Sequence, residues 1–231
     1  MKNKNLFLLF AFLGITGTSI AQVNWELKAG LNYSNFTVKD GDDNKANTTA
    51  VPGIYIGLGA AIRLSNQFAI QPSLIYARRG FKQEGSASFL GWGEDFDARV
   101  SYLELPVDFV YTPKVGPGNL IVAAGPYIGY GTGGEWTTNG DVSIGDIRIE
   151  GKGEIDFQND NSHHKTMNHY VFAKPWDYGA HIRLGYALYN RYSLSFEMQQ
   201  GIANIQPGYG DSKPVGSIRS RSFGIVLAYR F

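Results

Sequence analysis

The sequence has no cysteine and only four histidines. The absence of cysteine excludes disulfides, thiol nucleophiles, cysteine-ligated metal sites and an N-terminal lipid on cysteine. Charged residues make up 18% of the 231 residues, which is below the roughly 25% of typical soluble proteins. The formal net charge of +1 gives no overall electrostatic attraction to nucleic acid. Nucleic acid is therefore not an expected partner.

Long hydrophobic runs are missing after the start of the chain, which excludes a helical membrane protein. At the start, Lys2 and Lys4 precede an apolar run, LFLLFAFLGI, and small residues at Ser19 and Ala21 occupy the two positions that a signal peptidase reads. An anchor helix is the alternative, but this run is shorter than the roughly 20 residues needed to span a membrane. We expect a signal peptide at 1–21 and an exported domain at 22–231.

Period-two alternation of apolar and other residues dominates the rest of the chain, and it predicts β-strands. Glycine is frequent, at 29 residues, and aromatic residues make up 14%. No convincing amphipathic helix interrupts the pattern. The eight alternating stretches lie at residues 25–34, 54–63, 70–79, 102–111, 120–130, 178–188, 192–199 and 221–231.

The connections between these stretches alternate in length. Those at 65–67, 112–118 and 189–191 are short, whereas those near 36–51, 80–99, 131–176 and 203–219 are long and rich in Gly, Asn and Asp. This alternation is typical of an outer-membrane barrel with tight periplasmic turns and long outer loops. We therefore predict an all-β fold, an eight-stranded antiparallel up-and-down transmembrane β-barrel.

The direction of the apolar face separates a membrane barrel from a soluble one. A soluble lipocalin-like barrel also alternates, with its apolar face inside. The interior of eight strands is only just wide enough for small sets of side chains, and the apolar faces together hold about forty residues, too many to fit there. The opposite face is rich in Gly, Ser and Ala. The apolar face should therefore point outward into outer-membrane lipid.

Aromatic residues gather at the strand ends. Such placement is typical of the girdles at the two membrane interfaces, although aromatic residues also favour strands in general. The residues concerned are Tyr76, Tyr111, Tyr130, Tyr178, Tyr192, Tyr229 and Phe231.

The last stretch, RSFGIVLAYRF, has two expected roles. An unpaired strand edge in hydrocarbon leaves backbone groups unsatisfied, so this strand should pair with the first and close the barrel. Its ending is also similar to the C-terminal signal that the barrel-assembly machinery reads. The matching residues are Ser222, Gly224, Leu227, Tyr229 and Phe231.

Together these features resemble the outer-membrane β-barrel ("porin family", PorT-like) proteins of Bacteroidetes-type bacteria. The resemblance rests on IAQ at the cleavage site, on the terminal aromatic strand, and on the segments LKAGLNYSNF, QPSLIYARRGF and YLELPVDFVY. It implies an outer-membrane barrel. For the PorT-like branch it implies association with a protein-secretion system, which stays an alternative here.

Charged residues on the inward face are the main candidate site. A narrow lumen tolerates them only when they are paired, so we expect an ion-pair network that fills the lumen and fixes strand register; a selective channel or a gate is the alternative. Eight strands are too few for a general diffusion pore. The network is expected from Lys28, Arg63, Arg79, Glu104, Asp108, Arg183, Glu197 and Arg230, with Glu26 on the same face.

Neither a metal site nor a catalytic site is predicted. His163, His164 and His169 lie in one long loop without paired ligand spacing, and His181 is better explained as an interior histidine. Ser101 near Asp97 forms no recognisable nucleophile motif. We expect no enzyme activity and no cofactor, with a small outer-membrane enzyme as the alternative.

The 131–176 loop carries its own alternation, at Val142, Ile144, Ile147 and Ile149 and again at Ile155 and Phe157. It predicts that strands five and six continue beyond the membrane as a hairpin. Such an edge could recruit other envelope proteins by strand addition, or it could pack over the barrel mouth. The expected role of the protein is accordingly structural or binding, through its outer loops.

Overall fold

The computed structural model describes residues 23–84, 95–140, 142–144, 147–160, 171–208 and 212–231. The expected signal peptide at 1–21 and the three histidines of the long loop lie outside these residues. Within the described ranges, no helix is long and apolar enough to cross a membrane.

Thirteen strands are present in the described part of the chain. In chain order they are β1 (Val23–Lys39), β2 (Thr48–Arg63), β3 (Phe68–Gln83), β4 (Phe96–Tyr111), β5 (Lys114–Val115), β6 (Gly118–Thr138), β7 (Val142–Ile144), β8 (Ile147–Ile149), β9 (Lys152–Phe157), β10 (Val171–Ala173), β11 (Trp176–Leu188), β12 (Tyr192–Gly201) and β13 (Ser217–Arg230).

Eight of these strands form a closed antiparallel ring, in the order β1, β2, β3, β4, β6, β11, β12 and β13. The last strand closes the ring by pairing with the first, from Glu26 opposite Arg230 to Lys39 opposite Ser217. The predicted eight-stranded up-and-down barrel is therefore confirmed. Closure removes the sheet edges that would otherwise expose unpaired backbone groups.

The short connections all lie at one end of the barrel. Between β11 and β12, Tyr189 and Asn190 both have positive φ, 52° and 56°, as in the two-residue turns whose twist suits a hairpin. Gly116, at φ 59°, turns the chain between β5 and β6. The four long connections lie at the opposite end, which we call the loop end.

Several strands run further toward the loop end than predicted. For example, β3 continues to Gln83, β4 begins at Phe96 and β6 continues to Thr138. Alternation persists in these extensions, but there the outward residues are mostly polar and the inward ones mostly apolar, so they do not continue the apolar face from which the strands were predicted.

The prediction that strands five and six continue together as a hairpin is wrong, because the extension of β6 pairs with a different strand. β6 does project beyond the membrane-spanning part, but β11 begins only at Trp176, and β6 instead pairs with β9 from Glu135 opposite Glu154 to Thr137 opposite Lys152. β10 then adds to β9 in parallel, and β7 pairs with β8 in a separate small sheet. The loop thus folds its own strand onto β6.

The change of face is clearest along β3. Phe68, Ile70, Leu74 and Tyr76 are exposed apolar side chains, and the next outward side chains are those of charged residues, Arg78 and Lys82. The inward face of the spanning part is mixed, because the buried polar residues Gln71, Ser73 and Arg79 share it with the buried apolar residues Ile75 and Ala77, and Phe81 follows beyond them. The membrane-facing belt therefore ends just beyond Tyr76.

Aromatic pairs border this belt at both ends. At the loop end, the Tyr130 and Trp176 rings lie 4.9 Å apart. At the short-turn end, the centroid distance is 5.3 Å between Tyr192 and Tyr229 and 4.9 Å between Phe68 and Tyr111. Between these levels the exterior is apolar, as at Leu31, Ile182 and Leu184.

Candidate functional site

Ten acidic or basic side chains line the lumen between the two aromatic levels, and we call them the lumen network. Nine are at most 6% exposed, and Arg230 is 20% exposed at its side chain. Room for them comes from small residues: a Cβ at Gly59 would lie 2.8 Å from Gln71 Nε2 and 3.5 Å from Lys28 Cε. The network consists of Glu26, Lys28, Arg79, Glu104, Asp108, Asp177, His181, Arg183, Glu197 and Arg230.

The layer of the network nearest the loop end is centred on Arg79 of β3. Its guanidinium lies 2.6 Å from Glu104 Oε1 and 3.4 Å from Asp177 Oδ2, and it donates to the Gln199 side-chain carbonyl. The guanidinium carbon also lies 5.5 Å from the Tyr127 ring centroid, within cation–π range. One arginine thus joins four other strands across the lumen, because these partners lie on β4, β11, β12 and β6.

Asp177 is tied into the same layer by two hydroxyl groups. Tyr127 donates to its Oδ2 at 3.0 Å, and Ser220 donates to the same atom at 2.5 Å. Gln199 Nε2 donates to Glu104 Oε2 at 3.0 Å. Each carboxylate therefore accepts a hydrogen bond on one oxygen, which favours a buried charge, whereas Oδ1 of Asp177 has no hydrogen-bond partner.

The middle layer is centred on His181 of β11. Its Nδ1 lies 2.8 Å from Asp108 Oδ1, and its Nε2 lies 3.4 Å from Glu197 Oε2. Lys28 Nζ lies 4.0 Å from the other oxygen of Glu197. Ionised carboxylates only accept hydrogen bonds, so both ring nitrogens can donate only when His181 is an imidazolium. In that state the network balances, with five cations against five carboxylates.

The layer nearest the short turns joins β11, β1, β13 and β3. Arg183 Nη1 lies 3.4 Å from Glu26 Oε1, and Arg183 Nη2 donates to the Gln71 side-chain carbonyl. Arg230 Nη2 lies 3.3 Å from the second oxygen of Glu26. Glu26 therefore bridges two arginines from different strands.

Arg63 is the one predicted member that lies elsewhere. It is exposed at the end of β2 and lines a cavity at the short-turn end. No ion pair joins it to a carboxylate among the described residues. Its position explains the difference, because a guanidinium that is solvated at the barrel mouth needs no buried partner.

The sequence reading missed Asp177, Gln71 and Gln199 as contributors and took His181 only as an interior histidine. Asp177 lies one residue before the predicted start of strand six, on the inward face that continues from His181 and Arg183. Extending the alternation by one residue would have found it.

Above the lumen network the interior is apolar, and we call this cluster the cap. The Phe96 ring stacks on that of Trp136, with a distance of 6.0 Å between the ring centroids. Its centroid also lies 6.0 Å from that of the Phe81 ring. Ile155 of β9 packs into the same cluster, so the loop strand supplies part of this core. The buried members of the cap are Phe36, Val38, Phe81, Phe96, Ala98, Val100, Tyr102, Trp136, Ile155, Ala173, Ala203, Ile205 and Ile218.

The residues of the expected assembly signal form the closing strand. Ser222 and Gly224 face the lumen, whereas Leu227 and Tyr229 face outward between β12 and β1. The Tyr229 ring lies 5.3 Å from that of Phe231. The outward residues therefore continue the short-turn aromatic level.

Ser101 and Asp97, for which no catalytic role was predicted, are not hydrogen-bonded to each other. Ser101 Oγ accepts a hydrogen bond from Tyr76 at 3.0 Å, while Asp97 lies beside Lys82 and Arg99. In the part of the chain that the structure describes, no three His, Asp or Glu side chains are grouped so as to hold a metal ion.

Residues 18–206 match the sequence profile of the family described as "Outer membrane protein beta-barrel domain". The chain belongs to this family. Its location is accordingly the bacterial outer membrane, and its outward apolar belt faces lipid. A search of curated protein sequences finds no match.

Several solved barrels are similar to this chain in outline. Ail of Yersinia pestis, in complex with the heparin analogue sucrose octasulfate, is 12% identical with a TM-score of 0.45, over 91% of this chain and 99% of that chain. Neisserial surface protein A is 11% identical with a TM-score of 0.43, over 91% and 99%. OprG of Pseudomonas aeruginosa is 10% identical with a TM-score of 0.43, over 90% and 95%.

Proposed function

We propose that this protein is a non-conducting, non-enzymatic barrel whose structural or binding role is exercised by its loop end. The observation that carries the proposal is the lumen network, in which ion pairs join non-adjacent strands of the barrel at three successive levels. A channel needs an open path, and this interior is instead occupied by paired side chains.

The paired charges fit a structural role better than a selective filter. A filter presents charges of one sign to a passing ion, whereas the network contains near-equal numbers of both signs in direct contact. Buried charges that are paired and hydrogen-bonded are tolerated, while removal of one partner is costly. The network therefore supports a closed lumen that also fixes strand register.

The loop end offers the larger surface for binding. β3, β4 and β6 project beyond the aromatic level, and β9 and β10 widen the sheet there. We propose that other envelope proteins dock on this end through the 131–176 segment. The assembly signal, Ser222, Gly224, Leu227, Tyr229 and Phe231, would act earlier, when the barrel-assembly machinery receives the unfolded chain.

Planar-bilayer conductance tests the closed lumen. The refolded wild-type barrel should give no steady unitary conductance. Arg183→Ala removes the side chain that bridges Glu26 and Gln71 and should give transient small openings. A steady wild-type conductance comparable with that of the variant would refute the proposal.

A PorT-like role in a protein-secretion assembly is the second candidate. It is supported by the sequence segments of the resemblance and by the strand pair β9–β10, which extends the sheet at the loop end. Cross-linking in the native envelope, followed by identification of the co-purified proteins, separates the two roles: secretion components should be recovered with the wild type and lost when residues 139–175 are replaced by a short linker.

A further inference from the structure

A polar cavity of ≈ 370 Å³ opens at the short-turn end of the barrel, below the lumen network. Its size lies at the lower end of the range for small-molecule sites. The strand ends and short turns that surround it come from β1, β2, β3, β4, β5, β6, β11 and β13. We call it the mouth cavity.

All the charged residues that line the mouth cavity are cationic. Arg63, Lys114 and Arg230 line it, and no carboxylate is among its lining residues. Arg230 is partly neutralised by Glu26, at 3.3 Å. Arg63 and Lys114 have no ion pair with any carboxylate that the structure describes. Two cations are thus available to a ligand, in contrast to the paired cations of the lumen network.

Buried donors at the same cavity also lack acceptors. Gln71, 1% exposed, lines its inner wall. The Gln71 side-chain carbonyl accepts from Arg183, but its Nε2 has no hydrogen-bond partner, and neither does Nδ2 of Asn24 or Nε of Arg230. Unpaired buried donors are costly, and all three belong to residues that line this cavity. Donors without acceptors suit a ligand that only accepts hydrogen bonds.

The rim of the cavity includes an exposed aromatic residue. Tyr189 lines the cavity and is 79% exposed. Its φ of 52° is the one that the two-residue turn between β11 and β12 requires. Asn119 Nδ2 donates to Asn190 Oδ1 at 2.8 Å, which fixes the turn that presents Tyr189.

From these observations we propose that the mouth cavity binds an oxyanion, a phosphate or carboxylate group on a small molecule, between Arg63, Lys114 and the donors of Gln71 and Asn24. Oxyanions accept hydrogen bonds and carry the opposite charge, so they satisfy both features of the cavity. The proposal does not depend on whether the lumen is closed, because the cavity lies at the end of the network.

Calorimetric titration of the full barrel tests the proposal, in a sugar-headgroup detergent at low ionic strength, since salt screens such contacts. The probes are inorganic phosphate, acetate and a short-chain phosphatidic acid; the comparison of the last with free phosphate distinguishes a lipid headgroup from a solute. Arg63→Gln should weaken phosphate binding by about tenfold because a charged hydrogen-bond partner is lost. The double variant Arg63→Gln, Lys114→Gln should abolish it.

Arg191→Gln is the matched control. Arg191 is exposed in a short turn at the same end of the barrel but does not line the cavity, so its replacement should leave affinity unchanged. The heat-dependent shift on a gel verifies that each variant is folded. Absence of binding of all three probes by the wild type overturns the proposal, and so does an equal loss of affinity in Arg63→Gln and Arg191→Gln.

Discussion

Two regions of the barrel have opposite distributions of charged and apolar residues between interior and exterior. At the level of the membrane, the lumen network is charged and the exterior is apolar. At the loop end, the cap is apolar and the exterior carries charged residues such as Arg78 and Arg99. The change occurs within a single strand: on β4, Glu104 belongs to the network and Val100 to the cap.

The surrounding solvent explains the reversal. Lipid satisfies apolar side chains but not charges, so the spanning part turns its polar residues inward, where they must pair. Beyond the aromatic level, water surrounds the barrel, and burial of apolar surface again favours folding. The loop end therefore resembles the core of a soluble β protein built on a membrane barrel.

The largest predicted difference in the free energy of unfolding is between variants of two adjacent arginines. Arg79→Leu leaves Glu104 and Asp177 without their cation inside the lumen, and removal of one buried partner costs about 3–5 kcal/mol. Arg78 pairs with Glu135 on the exterior, where both side chains are more than 40% exposed. Arg78→Leu should therefore cost no more than about 1 kcal/mol.

Urea unfolding in lipid vesicles, with the refolded fraction read from a heat-shift gel, measures both free energies of unfolding. Equal losses in Arg78→Leu and Arg79→Leu would break the distinction between the paired lumen and the wet exterior.

In the cap, we expect a loss of stability equal to that of Arg79→Leu or somewhat smaller. Phe96 is 1% exposed, and Phe96→Ala removes its contacts with Phe81 and Trp136, at a cost of about 3–5 kcal/mol. Phe96→Leu keeps most of the volume and should cost less than about 1.5 kcal/mol. The same unfolding assay ranks them, and a tolerated alanine would show that the cap is not a packed core.

The smallest loss of stability is expected for substitutions on the exterior. Leu184 lies in the middle of the lipid-facing belt, 53% exposed, so Leu184→Lys should cost about 2–4 kcal/mol in vesicles. Thr132 follows Tyr130 on the adjacent strand β6, above the aromatic level, and there Thr132→Lys should cost about 0–1 kcal/mol. A reversed order would place the boundary of the belt elsewhere.

The sequence predicted the strands of the spanning part well, because one residue in two had to be apolar and the connections alternated in length. It predicted less at the loop end, where the apolar residues face inward: Phe81 and Phe96 were assigned to a loop. The partner of β6 was also not predictable, since β9 lies in a segment whose alternation fitted a simple hairpin equally well.

The candidate site was partly predictable for the same reason. Inward alternation identified Arg79, Glu104, Arg183 and Glu197, but it could not say which charge meets which, because that depends on strand tilt and register. It also could not separate Arg63 from the network, since the two sites share one face and differ only in their depth along the barrel.

Thiol labelling along β3 tests most directly which residues face lipid, water and the closed interior. The chain has no cysteine, so single-cysteine variants are free of background. The account predicts that cysteines at Leu74 and Tyr76 react only with a lipid-partitioned reagent, and those at Arg78 and Lys82 with a water-soluble one. Cysteines at Ile75, Ala77 and Phe81 should react with neither. Rapid labelling of 75 and 77 by the water-soluble reagent would contradict it, since water would then fill the lumen.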